Sequence, residues 1–276
     1  MELSSSSSSS SSPGPRVLSI QSSVVHGYVG NKAAVFPLQL LGFDVDPVNT
    51  VQFSNHTGYP AIKGHVFDGS HLRELLAGLT ANGLVCHTHL LSGYIGSLSL
   101  LEAVAAVATE LRNAYPRLTY GELQFRFMCD PVLGDEGKLY VSQELVAAHK
   151  ATLVPLANIL TPNQFEAECL TGLDVASEAQ ALQAAAALHD MGDLLAALLL
   201  AWSQRYPDDL AAAVEHAVAG LQGVLQLTAA AAGPEVLAST DERSSAVFRA
   251  KELRLVQGQK LLLQPDVRIR VEPISS

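Results

Sequence analysis

The sequence predicts an α/β protein built on a doubly wound, mainly parallel sheet. Two observations carry that expectation. Short β-branched runs alternate with amphipathic helical patterns from residue 16 to residue 172, as in a parallel sheet with helices on both faces. Four of the runs end in polar residues, and doubly wound sheets place their ligands beyond the C-terminal ends of the strands. With 276 residues, 48% of them hydrophobic, the chain has the material for one large core.

The elements follow in order. "RVLSIQS" (16–22) reads as a buried strand ending in small polar residues, and "GNKAAVFPLQLLGF" (30–43) as a helix closing at Gly42. "FDVDPVNTVQF" (43–53) is a second strand, followed by the turn formers of "SNHTGYP". "HLRELLAGLTANG" (71–83) is an amphipathic helix, and "LVCHTHLLSGY" (84–94) a strand running into a Gly turn. A long helix, "LLEAVAAVATELRNAYP", precedes the strand "FRFMCDPVLG" (125–134), which ends at an acidic residue. "QELVAAHKATLVPLA" is helical, "NILTPN" (158–163) a short strand, and "QFEAECLTG" a helix. After Gly172 the alternation stops, and 177–227 is almost wholly Ala- and Leu-rich helix. Strand character returns in "KELRLVQ" (251–257) and "DVRIRVEPI" (266–274).

Composition narrows the function. A net charge of −10 argues against a nucleic-acid or anionic-membrane surface. A nucleotide ligand stays open, because backbone amides and a metal can hold phosphates. Cys86, Cys129 and Cys169 are too few and scattered for a disulfide framework or a Cys-rich zinc site. Free thiols suit a reducing compartment. The start "MELSSSSSSSSSPGPR" has no signal-peptide pattern, and 1–15 reads as a disordered Ser-rich tail before a single domain, 16–276. The longest apolar run, Leu194–Trp202, is nine residues, short of the ~20 that span a bilayer. The expectation is a cytoplasmic protein without a membrane segment.

Polar residues gather at five places. Gln21-Ser22-Ser23 ends the first strand, and the following "VVHGYVGNK" fails as a P-loop because Gly30 is followed by Asn31, Lys32 and Ala33. Ser54, Asn55, His56 and Thr57 crowd one loop, which as a surface turn would need no function. Asp130 ends a strand and Asp135 follows a Gly turn. Two such carboxylates suit a Mg²⁺–nucleotide site, and equally an exposed acidic turn. Asn163 and Glu166 fit the N-cap and N3 positions of a helix, and capping alone accounts for both. Gly192-Asp193 opens an apolar helix. That N-terminus could seat a phosphate, although an N-cap aspartate is the commoner meaning. His87 and His89 would share a strand face but lack a third ligand, so they read as core histidines.

Taken together and in order, "SIQSSVVHGYVGNKAAVFPLQLLGF", "VNTVQFSNHTGY", "LLSGY", "CDPVLGD", "ILTPNQFEAE" and "GDLLAALLLAW" closely resemble animal pyridoxal kinases of the ribokinase-like superfamily. The resemblance runs from about Arg16 to the final strand. It implies ATP-dependent phosphorylation of the 5′-hydroxymethyl group of pyridoxal, pyridoxine or pyridoxamine. By position, Ser22 and Thr57 would bond the ring substituents and Val29 and Tyr94 would pack on the ring. Asp130, Asn163 and Glu166 would lie at the phosphates and metal ions, Asp135 at Mg²⁺ (or another divalent cation such as Zn²⁺), and Thr161 near K⁺ or Na⁺. Asp193 would be the general base and Gly192 the last glycine of the anion hole. A homodimer is implied as well.

The chain also departs from the family. The usual Gly-Thr-Gly-Asp is here "DMGD", with Asp190 for the first glycine and Met191 for the threonine. Two or more strands and a nucleotide-covering loop that precede this motif in the family have no counterpart. "YGELQFRFMC" carries extra residues, and "GDEGKLYV" is shortened. An alternatively spliced or mis-assembled gene would produce all three departures. They predict a ribokinase-like sheet lacking strands before the catalytic helix, and little or no turnover. The rival readings are a vitamer-binding protein without catalysis, an unstable product, and a hydroxymethylpyrimidine kinase.

Overall fold

The computed structural model describes residues 14–114, 125–175, 193–239 and 244–271. Strand β1 (Arg16–Val24) is buried on both faces from Val17 to Gln21, the pattern of an interior strand of a parallel sheet. Helix α1 (Asn31–Leu40) returns the chain to β2 (Asp44–Phe53), with the reversal made at Gly42, whose φ is 98°. A short antiparallel strand, β3 (Gly64–Val66), borders β2. Helix α2 (Gly69–Ala81), capped by Asp68, leads to β4 (His89–Ser92), and α3 (Leu98–Ala114) precedes β5 (Arg126–Cys129).

A two-residue hairpin follows, β6 (Gly134–Asp135) with β7 (Lys138–Leu139). Its turn residues Glu136 and Gly137 both have positive φ, 49° and 77°. That twist suits tight hairpins, but Glu-Gly is a weaker signal for it than Asn-Gly or Asp-Gly. Helix α4 (Gln143–Ala148) runs into a π turn, His149–Leu153, and a 3₁₀ turn, Val154–Leu156. Then come β8 (Ile159–Leu160) and α5 (Gln164–Thr171), which ends at the left-handed Gly172. The last helices are α6 (Asp193–Arg205), α7 (Leu210–Ala232), α8 (Pro234–Leu237), α9 (Ser245–Ala250) and α10 (Gln259–Leu263).

The main sheet has the order β3-β2-β1-β4-β5-β8, and only β3 runs antiparallel. Pleating sends Val17, Leu91 and Met128 to one face, beneath α1, α6, α7 and α10. Leu18, Ile20, Leu90 and Phe127 face the other way, beneath α2 and α3. The sheet is therefore doubly wound, as the alternation predicts.

Helix α6 is apolar nearly all round because it lies between the sheet and α7. Gln204, near its C-terminus, reaches His89 at the start of β4. The helix thus runs antiparallel to the strands. Its 13 residues rise about 20 Å, roughly the length of a six-residue strand. Its first residue, Asp193, is therefore carried to the end of the sheet where the strands finish.

Helix α7 has 23 residues and a mean hydropathy of 1.2, long and apolar enough by length and composition to cross a membrane. Counting only unbroken apolar runs hides this, because Glu215, His216 and Gln222 interrupt it. In the fold, Ala213, Ala217 and Val224 pack in the core shared with α6.

Two expected strands do not form. Residues 251–258 make turns. Leu255 is buried in the α1–α6–α7 core and half-buried Leu253 packs against it, and the Arg254 N–H donates to the Thr228 hydroxyl of α7 at 3.0 Å. The alternating leucines record packing on helices, not a sheet face. Residues 265–271 are irregular and lie along α7, where Glu215 accepts from the Val271 N–H at 3.0 Å and from Arg270 at 2.8 Å. With no neighbouring strand, its alternation cannot be used. Residues 272–274 of that run, the Ser-rich tail before Gly14, and residues 120–124 of the lengthened "YGELQFRFMC" lie outside the described residues.

Among the described residues no strand lies beyond β8. The 17 residues 176–192 separate α5 from α6. Two further parallel strands would need about 5–6 residues each plus crossovers of a dozen or more. Two such strands with their crossovers would need more residues than these 17.

Candidate active site

The sheet register sets a row of candidate residues side by side. Ile20 pairs with Ser92, Ser92 with Cys129, and Cys129 with Leu160. The hydrogen bonds then run one step further: Gly93 N–H donates to Ile20 at 3.0 Å, Asp130 N–H to Ser92 at 2.8 Å, and Thr161 N–H to Cys129 at 3.1 Å. Ser22, Tyr94, Asp130 and Thr161 thus emerge together at the C-terminal edge of four adjacent strands. The crossover direction changes between β1 and β4, so Ser22 and Tyr94 flank the switch-point crevice.

The loop after β1 is held tightly. Gly30 precedes α1 with φ 51° and ψ −128°, and a Cβ there would lie 2.1 Å from the Ser22 carbonyl oxygen. Only glycine permits this approach. The next residue, Asn31, is buried. Its Oδ1 accepts from the Ser19 hydroxyl at 2.8 Å, and its amide donates to the Val48 carbonyl at 2.9 Å and to Asn49 at 2.8 Å. One side chain ties α1 to β1 and β2, and so fixes half-buried Val29 beside half-buried Ser22. Tyr94 is half-buried too, and burial raises its hydroxyl pKa.

Thr57 is exposed on the loop after β2. That loop is braced from within: Ser54 donates to Asn55 Oδ1 at 2.6 Å, and Asn55 donates to the Ala61 carbonyl at 3.0 Å. His56 meets Tyr59 edge-on at 4.7 Å. Burial lowers the His56 pKa, against the opposing charge of Glu252.

The acidic end is built differently. Asp130 is buried, and Asp135 is exposed on the β6–β7 hairpin. Asn163 and Glu166 form the predicted capping box of α5: Asn163 Oδ1 accepts from the Glu166 N–H and Glu166 Oε2 from the Asn163 N–H, both at 2.9 Å. They also reach further. Glu166 Oε1 accepts from the N–H groups of Leu133 at 2.7 Å and Gly134 at 3.3 Å, while the Asn163 amide donates to the Gly134 carbonyl at 2.7 Å. The pair therefore staples the Asp130–Asp135 loop to α5. Burial raises the Glu166 pKa despite these three donors.

The Thr161 hydroxyl is fully buried without a hydrogen-bond partner. Cys129, beside Asp130, is no nucleophile, since burial pushes its thiol up to about 12. Asp193 opens α6, but its side chain and Asp190, Met191 and Gly192 lie outside the described residues. His87 and His89 are core residues: His87 Nε2 lies 2.8 Å from Asp46, and His89 packs edge-on against Phe43 at 5.2 Å.

Comparison with known proteins decides the family. The chain is 45% identical to pyridoxal kinase of Arabidopsis thaliana over 94% of its own length and 95% of the relative's. The chain belongs to the pyridoxal kinase family. The human pyridoxal kinase is 38% identical, over 92% of this chain and 97% of the relative. The pyridoxal kinase of Leishmania donovani, solved in complex with ADP and pyridoxamine, superposes with a TM-score of 0.77 at 34% identity, covering 91% of this chain and 97% of that one. Residues 94–201 match the phosphomethylpyrimidine kinase family model. Whole-chain similarity to pyridoxal kinases does not favour the hydroxymethylpyrimidine rival. The alignment with the Arabidopsis relative spans 307 positions, more than the 276 residues of this chain, so that relative carries segments with no counterpart here.

Sequence reasoning missed the support of this site. Asn31 lies within a quoted motif but was given no role there, and Phe248 and Glu252, which touch the loops after β1 and β2, lie in no motif. The weak signal for Asn31 was a polar residue at the first turn of an otherwise apolar helix. Phe248 and Glu252 lie about 190 residues or more from what they touch, and only the fold reveals them.

Proposed function

We propose that this chain binds a B6 vitamer at the crevice between β1 and β4 and, with ATP, phosphorylates its 5′-hydroxymethyl group. The row Ser22–Tyr94–Asp130–Thr161 carries the reading, because it offers ring-binding groups and phosphate-side groups along one sheet edge. Ser22 and Thr57 bond the ring substituents, and Val29 and Tyr94 cover the ring. Asp193 accepts the hydroxyl proton as the oxygen attacks the γ-phosphorus, and ADP leaves. Gly192 and the first turn of α6 offer N–H groups to the moving phosphoryl.

Asp130, Asp135 and Glu166 give oxygen donors only, a set that suits Mg²⁺ better than Zn²⁺, which prefers nitrogen and sulfur. A bound Mg²⁺ neutralises phosphate charge. Glu166 also accepts from three backbone donors and so holds the loop that carries Asp130 and Asp135. The buried, unpartnered Thr161 hydroxyl fits a monovalent cation, K⁺ or Na⁺.

The relatives do not favour a second reading, vitamer binding without turnover; what keeps it testable is that the Arabidopsis relative carries segments with no counterpart in this chain. The two are joined in one expectation: binding of pyridoxal, with phosphorylation at least about 100-fold slower than in an intact relative. Pyridoxal phosphate formation by the purified chain with Mg²⁺–ATP tests this, with 5′-deoxypyridoxal as the control lacking the acceptor. Turnover at an intact relative's rate would overturn the expected deficit, and bound pyridoxal with no product would establish the second reading.

A further inference from the structure

The turn after α9 lies against both vitamer loops. Glu252 is nearly buried, with 13% of its side chain exposed. Its Oε2 accepts from the Tyr28 N–H at 3.2 Å, in the loop after β1 that carries Val29. Its Oε1 accepts from the Tyr59 hydroxyl at 3.3 Å and lies 3.7 Å from His56 Nε2, in the loop after β2 that carries Thr57. The carboxyl also fills the space beside Gly27, where a Cβ would meet it at 2.5 Å. Four residues earlier, Phe248 packs on both rings of the same loop, 5.3 Å from His56 and 5.1 Å from Tyr59.

Glu252 is a nearly buried carboxylate with hydrogen-bond partners in both loops. Burying a charge is costly unless it is paired and hydrogen-bonded, and this one is spent on joining two loops that are otherwise distant in sequence. We propose that Glu252, supported by Phe248, is a positioning residue for the vitamer: it fixes the loop after β1 against the loop after β2, and so the distance between Val29 and Thr57 across the ring. The proposal rests on the vitamer reading above. It adds that the C-terminal segment, not only the sheet edge, sets vitamer affinity.

Two substitutions separate this role from general stability. Glu252→Ala removes both acceptors. Glu252→Gln keeps a carbonyl for Tyr28 and an amide that the Tyr59 hydroxyl can accept from. Calorimetry of the full chain with pyridoxal and, separately, Mg²⁺–ATP should give at least a tenfold rise in the pyridoxal Kd for Glu252→Ala. The Mg²⁺–ATP value should stay within twofold, and Glu252→Gln should restore pyridoxal binding to within threefold. Wild-type pyridoxal affinity in a folded Glu252→Ala protein overturns the proposal, as does an equal loss for both ligands. Should Glu252→Ala not fold, Tyr59→Phe decides: about a threefold weaker pyridoxal affinity supports the clamp, and an unchanged one overturns it. A wild-type chain that binds no pyridoxal would instead contradict the functional reading itself, and the clamp with it.

Discussion

Glu166 is where a structural role and a metal role compete most directly. The residue is 4% exposed and its carboxylate accepts from three backbone N–H groups, those of Leu133, Gly134 and Asn163. Glu166→Gln preserves the shape but turns an amide NH₂ toward one of these donors. A lost hydrogen bond to a charged acceptor costs about 1.5–3 kcal/mol, and relief of the desolvated charge offsets part of that. We expect a net loss of about 1–2 kcal/mol. Glu166→Ala strands all three donors and should cost about 3–5 kcal/mol. Asn163→Ala, which removes the reciprocal cap, should cost about 1 kcal/mol, and the double substitution should cost less than the sum of the two. Urea unfolding at neutral pH, in the absence of nucleotide and Mg²⁺, measures each loss as a midpoint shift at constant slope. Both Glu166 variants within about 0.5 kcal/mol of wild type would refute the staple and leave ligand binding as the residue's main role.

Buried His89 has a pKa lowered to about 4, by burial first and by the Arg126 charge second. Its folded value lies below the unfolded one, so the stability it contributes is present above pH 6.5 and lost as pH falls toward 4. That amounts to about 2 kcal/mol by pH 5, and urea midpoints for His89→Gln should fall less steeply between pH 7 and 5 than those of wild type. Equal slopes would contradict the assignment. Gly30→Ala sets a methyl against the Ser22 carbonyl at a positive φ, and should cost at least about 2 kcal/mol and abolish pyridoxal binding. Unchanged binding by calorimetry would mean that this loop does not form the site. Thr161→Val removes the unpartnered hydroxyl at little cost. K⁺, compared with tetramethylammonium, should raise the melting temperature of wild type but not of this variant. An equal effect on both would place the cation elsewhere.

The first two-thirds of the fold was legible because strands there are buried runs and helices are amphipathic, so local pattern and tertiary role agree. The Asn163–Glu166 cap was legible for the same reason, being a local motif. The C-terminal strands were misread because Leu253 and Leu255 alternate for helix packing, and alternation alone does not say what the buried side faces. The β6–β7 hairpin was missed for want of an Asn-Gly or Asp-Gly turn. Ser22 and Asp130 could be picked out as polar strand-end residues and Tyr94 and Thr161 only through the resemblance, and only the strand order makes the four neighbours. Glu252 was invisible because its partners are Tyr28 and Tyr59, far away in sequence.

We propose a vitamer half of the site at the β1–β4 crevice, beside a nucleotide half that has no strand beyond β8 among the described residues. Calorimetry of one preparation with pyridoxal and with Mg²⁺–ATP tests it most directly. The account predicts stoichiometric pyridoxal binding and Mg²⁺–ATP binding much weaker than that of an intact relative. Absence of pyridoxal binding by a cooperatively folded chain, or nucleotide affinity equal to the relative's, would contradict it.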